Sequence, residues 1–168
     1  FIRLMRPLNM AICAVSACVG ALLYGPPLAV MADPPGGWLV RTIAAALSSA
    51  LILAAGNVHN DIRDVAADSI NAPGRPLPAG AVNAEAAAWF ALLLAAAGCH
   101  LAIPVGTAGV LVAFSAAFVL YLYNTILKRI PLVGNAAVAL LGGMTFVYGG
   151  IAGHAAMRSF VPAVFAFL

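Results

Sequence analysis

A chain of 168 residues that is 64% hydrophobic and 8% charged lacks the charge of a water-soluble domain, where about a quarter of residues carry one. Its mean hydropathy of +1.06 reads as a polytopic membrane protein with an all-α bundle of transmembrane helices. The formal charge of +3 is explained by basic residues at a membrane face and calls for no nucleic acid.

Arg3 and Arg6 precede an apolar run over residues 8–25. That run is long for a signal peptide and more spans follow, so it is expected to be a retained first transmembrane helix. Residues 26–37, rich in Pro and Gly, read as a loop. A second span covers residues 38–56, with Arg41 near enough to its end to snorkel. The polar stretch 56–80, GNVHNDIRDVAADSINAPGRPLPAG, closes in a Pro-broken segment over 73–80 that cannot be a continuous helix. A third helix is expected over 84–99, capped by Asn83 and with Glu85 placed favourably at its start.

The fourth span, 105–122, runs on into Tyr-Asn-Thr-Ile-Leu-Lys-Arg. Pro131 and Gly134 separate it from a fifth over 135–151, in which Gly142, Gly143, Gly149 and Gly150 permit close helix contact. A sixth begins near Phe160. Cys13, Cys18 and Cys99 sit inside apolar runs without metal-ligand spacing and are read as packing residues, as are His59, His100 and His154. The chain starts with Phe and stops inside an apolar run, so it is expected to be a fragment.

A cytoplasmic N-terminus puts Arg3, Arg6, Arg63, Arg75, Lys128 and Arg129 on the cytoplasmic side and only Arg158 opposite, with Arg41 at a helix end. That asymmetry follows the positive-inside rule. It also brings the polar stretch and Lys128–Arg129 to one membrane face.

Asp61, Asp64 and Asp68 are three of the five acidic residues in the chain. On a helix, Asn57, Asn60, Asp61, Asp64 and Asp68 fall within a sector of roughly 100°, with Asn60, Asp64 and Asp68 one turn above another. Like charges so spaced repel, and the arrangement calls for a counter-cation. Oxygen-only ligands favour a hard cation such as Mg²⁺, which usually completes its shell with substrate phosphate. A solvated acidic helix end is the bland alternative. Ionisable groups at membrane depth are costly, which favours a metal–diphosphate site. Arg63, Arg75 and Lys128 are candidates to neutralise phosphate oxygens, the alternative being charges that set topology. Asn124 and Lys128, four apart, would share a helix face; Tyr123 beside them would ordinarily anchor at the interface.

NDIRDVAAD followed by RPLPAG resembles the first aspartate-rich motif, NDxxDxxxD, and the RP-[IL]-P-x-G segment of the UbiA superfamily of intramembrane prenyltransferases. YNTILKRIPLVGNAAVALLGGMTFVYGG resembles the Tyr–Lys segment and the Gly-Asn helix of its archaeal-type, ether-lipid branch, and RLMRPLN resembles the start of its first helix. The resemblance implies one transmembrane domain over residues 1–168, part of a fold of about nine helices of which about five and a half fall here. It implies Mg²⁺–diphosphate binding at Asn60, Asp64 and Asp68, accompanied by Asp61. It further implies diphosphate neutralisation by Arg63 and Lys128, a cavity tyrosine at Tyr123, and a pocket-lining pair at Arg6 and Asn9. The family's second aspartate-rich motif is lacking, so the chain alone is expected to be inactive.

The implied reaction is Mg²⁺-dependent transfer of a prenyl group, geranylgeranyl in this branch, from its diphosphate to the free hydroxyl of geranylgeranylglyceryl phosphate. The implied partners are the prenyl diphosphate, a lipid-phosphate acceptor and membrane lipid. Two alternatives stand beside it: transfer to an aromatic quinone precursor or a tetrapyrrole acid, and, from another class, a cation-coupled transporter. A transporter would more often show inverted repeats and helices broken at the bilayer midplane.

Overall fold

The computed structural model describes residues 1–24 and 37–153. Every regular element among them is helical: α1 Ile2–Met5, α2 Pro7–Tyr24, α3 Trp38–Arg63, α4 Val65–Asn71, α5 Ala84–Leu101, α6 Thr107–Thr125 and α7 Val133–Ala152. One 3₁₀ turn, Ile103–Val105, joins α5 to α6, and another, Leu127–Arg129, lies between α6 and α7. Four helices are long and apolar enough to cross a membrane, and α2 is a slightly shorter apolar helix beside them. The loop expected over 26–37, Asp33, His154, Arg158 and the sixth span lie almost wholly or entirely outside the described residues.

The bundle is built around α3. Its buried face is made of small residues, among them Ala45, Ser48, Ala54, Ala55 and Gly56, so neighbouring backbones can approach closely where lipid gives no hydrophobic drive to associate. One packed cluster joins Ala45 and Ile52 of α3 to Ala113 of α6 and Tyr148 of α7. A second joins Ala54 and Val58 of α3 to Leu4 of α1, Leu77 of the following loop and Leu94 of α5. Large apolar side chains such as Leu8, Leu47, Leu93 and Phe118 face outward, as lipid contact requires.

Several polar groups inside the bundle find protein partners. The Tyr148 hydroxyl donates to Ser48 Oγ at 2.9 Å, and Ser48 donates to the Gly98 carbonyl at 2.7 Å, so one chain of hydrogen bonds ties α7, α3 and α5. Asn124 Nδ2 donates to the Gly56 carbonyl at 2.9 Å, binding α6 to α3. Arg41 does more than snorkel: its Nε donates to the Ala152 carbonyl at 3.2 Å, fastening the start of α3 to the end of α7. Asn83 caps α5 as expected, accepting from the Glu85 amide at 2.7 Å.

Several boundaries differ from the expected ones. The second span continues past residue 56 to Arg63, giving α3 26 residues. At 1.5 Å per residue it is about 39 Å long, more than the ~30 Å hydrocarbon core, so its polar end can stand at the membrane face. The first span is met almost as expected, as α2, but a short helix not expected from the sequence, α1, precedes it across Arg6, which takes the left-handed conformation (φ 55°).

Close contact at the glycines of α7 is confirmed at one end of the helix. A Cβ added at Gly149 would collide with the Ala17 carbonyl of α2, and one at Gly20 of α2 with the Phe146 carbonyl of α7. Gly149→Val is therefore expected to destabilise the bundle by ~1–3 kcal/mol, the usual range for overpacking. A lowered unfolding midpoint in detergent checks it; an unchanged midpoint would contradict the α2–α7 contact.

Candidate functional site

Three carboxylates at the junction of α3 and α4 meet three cations that arrive from three separate parts of the chain. Arg6, at the turn between α1 and α2, places Nη2 2.6 Å from Asp61 Oδ1. Lys128, on the 3₁₀ turn after α6, places Nζ 2.5 Å from Asp64 Oδ1 and 3.3 Å from Asn60 Oδ1. Arg75, in the Pro-broken loop, places Nη1 2.6 Å from Asp68 Oδ2 and 4.0 Å from Asp61 Oδ1. Asn60 Nδ2 in turn donates to Asp64 Oδ2 at 2.9 Å.

The helical sector explains the partition. Asn60 and Asp61 lie at its opposite edges, about 100° apart, so one flank faces the α6–α7 connection and the other faces the N-terminal turn. The N-terminal turn is anchored there: Asn57 Nδ2 donates to the Met5 carbonyl at 3.0 Å, and Leu4 is fully buried. The expected unbroken stack is modified at Asp64, whose backbone (φ −98°, ψ 3°) ends α3 and starts α4. The i, i+4 rhythm survives the break, because the Asp64 amide donates to the Asn60 carbonyl and the Asp68 amide to the Asp64 carbonyl. Asp68 is buried at the first turn of α4, where a helix start favours negative charge.

The counter-cations demanded by the carboxylates are thus present as side chains of the protein itself. Among the described residues no three His, Cys, Asp or Glu side chains converge as a ready metal cage. Asp61 is nearly fully buried between two arginines, whereas the Asp64 side chain remains about a third exposed. An arginine stays protonated in proteins, and the Asp68 hydrogen bond holds the Arg75 guanidinium pKa above even its ordinary value.

Other expected residues are placed differently. Arg63 is exposed and makes none of the cluster's ion pairs or hydrogen bonds. Asn124 and Lys128 do not share a helix face, because α6 ends at Thr125 and Lys128 belongs to the next turn. Both still reach α3, Asn124 at Gly56 and Lys128 at Asp64. Arg129 is exposed. His59 packs on the outside of α3, its ring stacked on Tyr121 with centroids 5.2 Å apart.

A cavity of about 600 Å³ opens beside the cluster, between α2, α3, α6 and α7. Its polar end is lined by Arg6, Asn9, Asn57, Asn60, Tyr123 and Asn124, all of them among the polar residues that the sequence singles out. Its body is apolar, with Ile52, Leu53, Leu120, Leu141 and Phe146 on the walls. The size lies within the 300–1,000 Å³ typical of small-molecule sites. Sequence reasoning did not find the Arg6–Asp61 pair or the Asn57–Met5 link. A hint was present: an Asn and an Asp in the last turns of an otherwise apolar span must find partners.

A model of the UbiA prenyltransferase family matches residues 13–168. The chain belongs to that family. A UbiA-family chain of this kind is an integral membrane protein, in accord with its four long apolar helices. Over 150 residues it is 38% identical to the digeranylgeranylglyceryl phosphate synthase of Methanoculleus marisnigri, covering 89% of this chain and 50% of that protein. Over 168 residues it is 34% identical to the synthase of the same name from Methanopyrus kandleri, covering 100% and 57%. A solved digeranylgeranylglyceryl phosphate synthase structure superposes with a TM-score of 0.83 at 29% identity, covering 98% of this chain and 55% of that one. The fold is also shared with a UbiA homologue from Archaeoglobus fulgidus bound to DMAPP and Mg²⁺, with a TM-score of 0.75 at 20% identity and coverage of 99% and 58%. The chain spans about half the length of the curated relatives it matches.

The Arg6–Asp61 pair supplies a test of the cluster's geometry. Arg6→Ala and Asp61→Asn are expected to be non-additive, with a coupling of about 1–2 kcal/mol in a double-mutant cycle on unfolding in detergent. Additive effects would mean that the two side chains do not pair.

Proposed function

We propose that residues 1–168 form part of a single transmembrane prenyltransferase domain that binds a prenyl diphosphate, with the diphosphate at the Asp–cation cluster and the prenyl tail in the apolar cavity. The observation that carries this reading is the continuity of the two regions: Arg6 and Asn60 belong both to the ion-paired cluster and to the cavity wall. An amphipathic substrate with a charged head and a hydrocarbon tail matches that division. The proposed donor is geranylgeranyl diphosphate and the proposed acceptor is the free hydroxyl of geranylgeranylglyceryl phosphate, by analogy with the named relatives.

The donor chemistry of the cluster fits magnesium. Asn60, Asp64 and Asp68 offer only oxygen, and a site with few carboxylates suits an ion that takes the rest of its shell from substrate phosphate. Mg²⁺, when bound there, would supply positive charge to the leaving diphosphate. The same residues hold Lys128 and Arg75 before substrate arrives. Those cations are then positioned to turn from the carboxylates to phosphate oxygens, where charge accumulates as the bond breaks. Arg6, held by Asp61, presents its guanidinium at the cavity mouth. We assign Asp61 to positioning Arg6 and Arg75, because its Oδ1 faces both arginines.

The bond from the allylic C1 to the diphosphate oxygen breaks with its electron pair leaving on the diphosphate. The acceptor hydroxyl oxygen forms the new C1–O bond, and its proton passes to the departing diphosphate. Apolar walls exclude the water that would otherwise capture the carbocation-like carbon. The cluster is proposed to face the cytoplasm, since Arg3, Arg6, Arg75, Lys128 and Arg129 gather at that end of the bundle and Arg41 at the other.

The first test uses the full-length protein in membranes with Mg²⁺, labelled geranylgeranyl diphosphate, and geranylgeranylglyceryl phosphate beside 4-hydroxybenzoate. Label on the glyceryl phosphate is expected; label on the aromatic ring would keep prenyl transfer and overturn the acceptor. Asp64→Ala and Asp68→Ala are expected to abolish transfer in protein that remains folded and inserted. Activity retained in both would sink the assignment of the cluster. Lys128→Ala is expected to lower kcat/KM for the prenyl diphosphate by about 10²–10³-fold, as loss of one preorganised charge contact does. An effect confined to the acceptor KM would contradict that role.

A further inference from the structure

Gly142 and Gly149 lie seven residues apart on α7 and therefore on nearly the same face, about 20° from alignment after two turns. Their surroundings differ completely. At Gly149 that face meets the backbone of α2 at Ala17, and no side chain fits. A Cβ built at Gly142 would meet nothing within 4 Å, and Gly142, an exposed residue, lines the open side of the cavity. The two helices meet at the Gly20–Gly149 level and leave the cavity between them where Gly142 sits. Cys13, seven residues before Gly20 on α2, lines the same space from the other side. The Thr145 hydroxyl turns back to the Gly142 carbonyl at 2.7 Å, so its polar group is already satisfied.

Close packing thus does not demand a glycine at position 142, and a glycine inside a helix is a poor choice without some other reason. Along α2, Pro7 and Cys13 are separated by about 9 Å, which sets this level partway down from the ion-paired end. We propose that Gly142 is a specificity-determining position: its missing side chain is the width through which a long isoprenoid tail passes beyond the first part of the cavity. This inference rests on the prenyl-diphosphate reading above and adds to it the residue that selects long over short prenyl donors. Gly142 touches neither the carboxylates nor their cations, so it acts on the tail alone.

The test compares wild type, Gly142→Ala and Gly142→Leu in membranes carrying the full-length protein. Geranylgeranyl diphosphate is assayed as donor, and dimethylallyl diphosphate as donor or competing inhibitor. Inhibition by inorganic diphosphate reports whether the ion-paired end is intact. Gly142→Leu is expected to lower kcat/KM for geranylgeranyl diphosphate by about tenfold or more, the scale on which a few methylenes in a pocket discriminate. Affinity for dimethylallyl and inorganic diphosphate should stay within about twofold of wild type on the same reasoning. Gly142→Ala should shift preference in the same direction by less, and it decides the matter if the leucine variant fails to fold. Equal loss for both prenyl donors, an effect only on the acceptor KM, or no change in either variant would overturn the inference while leaving transfer by the wild type intact. A wild type that transfers and binds neither prenyl donor would instead remove the prenyl-diphosphate reading, and this inference with it.

Discussion

Everything at the functional end of this bundle depends on neutralising three carboxylates crowded at one helix junction, at a membrane face. Left alone they would repel one another and resist leaving water. Each instead has its own cation, and the cations come from the N-terminal turn, the loop after α4 and the turn after α6. The cluster therefore works as a tertiary clasp. Asp61, the most enclosed of the three, would be the costliest to leave unpaired, because removing one partner of a buried pair strands the other's charge.

The same arrangement suits the cluster to exchange partners. Surface-accessible pairs are individually weak, since solvent screening offsets most of their attraction. Lys128 with Asp64 and Arg75 with Asp68 are partly exposed pairs of this kind. A ligand bearing several phosphate oxygens can compete for such cations without dismantling the fold. The buried Asp61 holds the arginine turn in place meanwhile. Asp64 is the most open of the three carboxylates, whereas Asp61 and Asp68 are both buried and meet arginines that reach solvent.

Much of this is legible from residue spacing. The period of Asn60, Asp64 and Asp68 survives the break at Asp64, because backbone bonds continue with the same i, i+4 rhythm. The gathering of basic residues at one end is legible from their alternation between spans. What spacing does not supply is which cation meets which acid. That depends on how the N-terminal turn and the 3₁₀ turn after α6 fold back over α3. Spacing puts Lys128 on the face of Asn124 because no breaker intervenes before Pro131; the helix ends six residues earlier, at Thr125. Arg63 lies within the motif yet turns outward, at a helix position outside the sector that the acids share.

The glycines of α7 make the same point about packing. Sequence assigns one meaning to Gly142 and Gly149, since both are small residues on one stripe of a membrane helix. The meaning is set by α2, whose backbone meets the stripe at Gly149 and leaves open space beside Gly142. A small residue at a helix contact and a small residue beside a void cost the helix the same conformational entropy. Only the first recovers it through close approach of backbones. The second needs another reason to persist, and in this bundle the open space beside it belongs to the largely apolar cavity that begins at the ion-paired end.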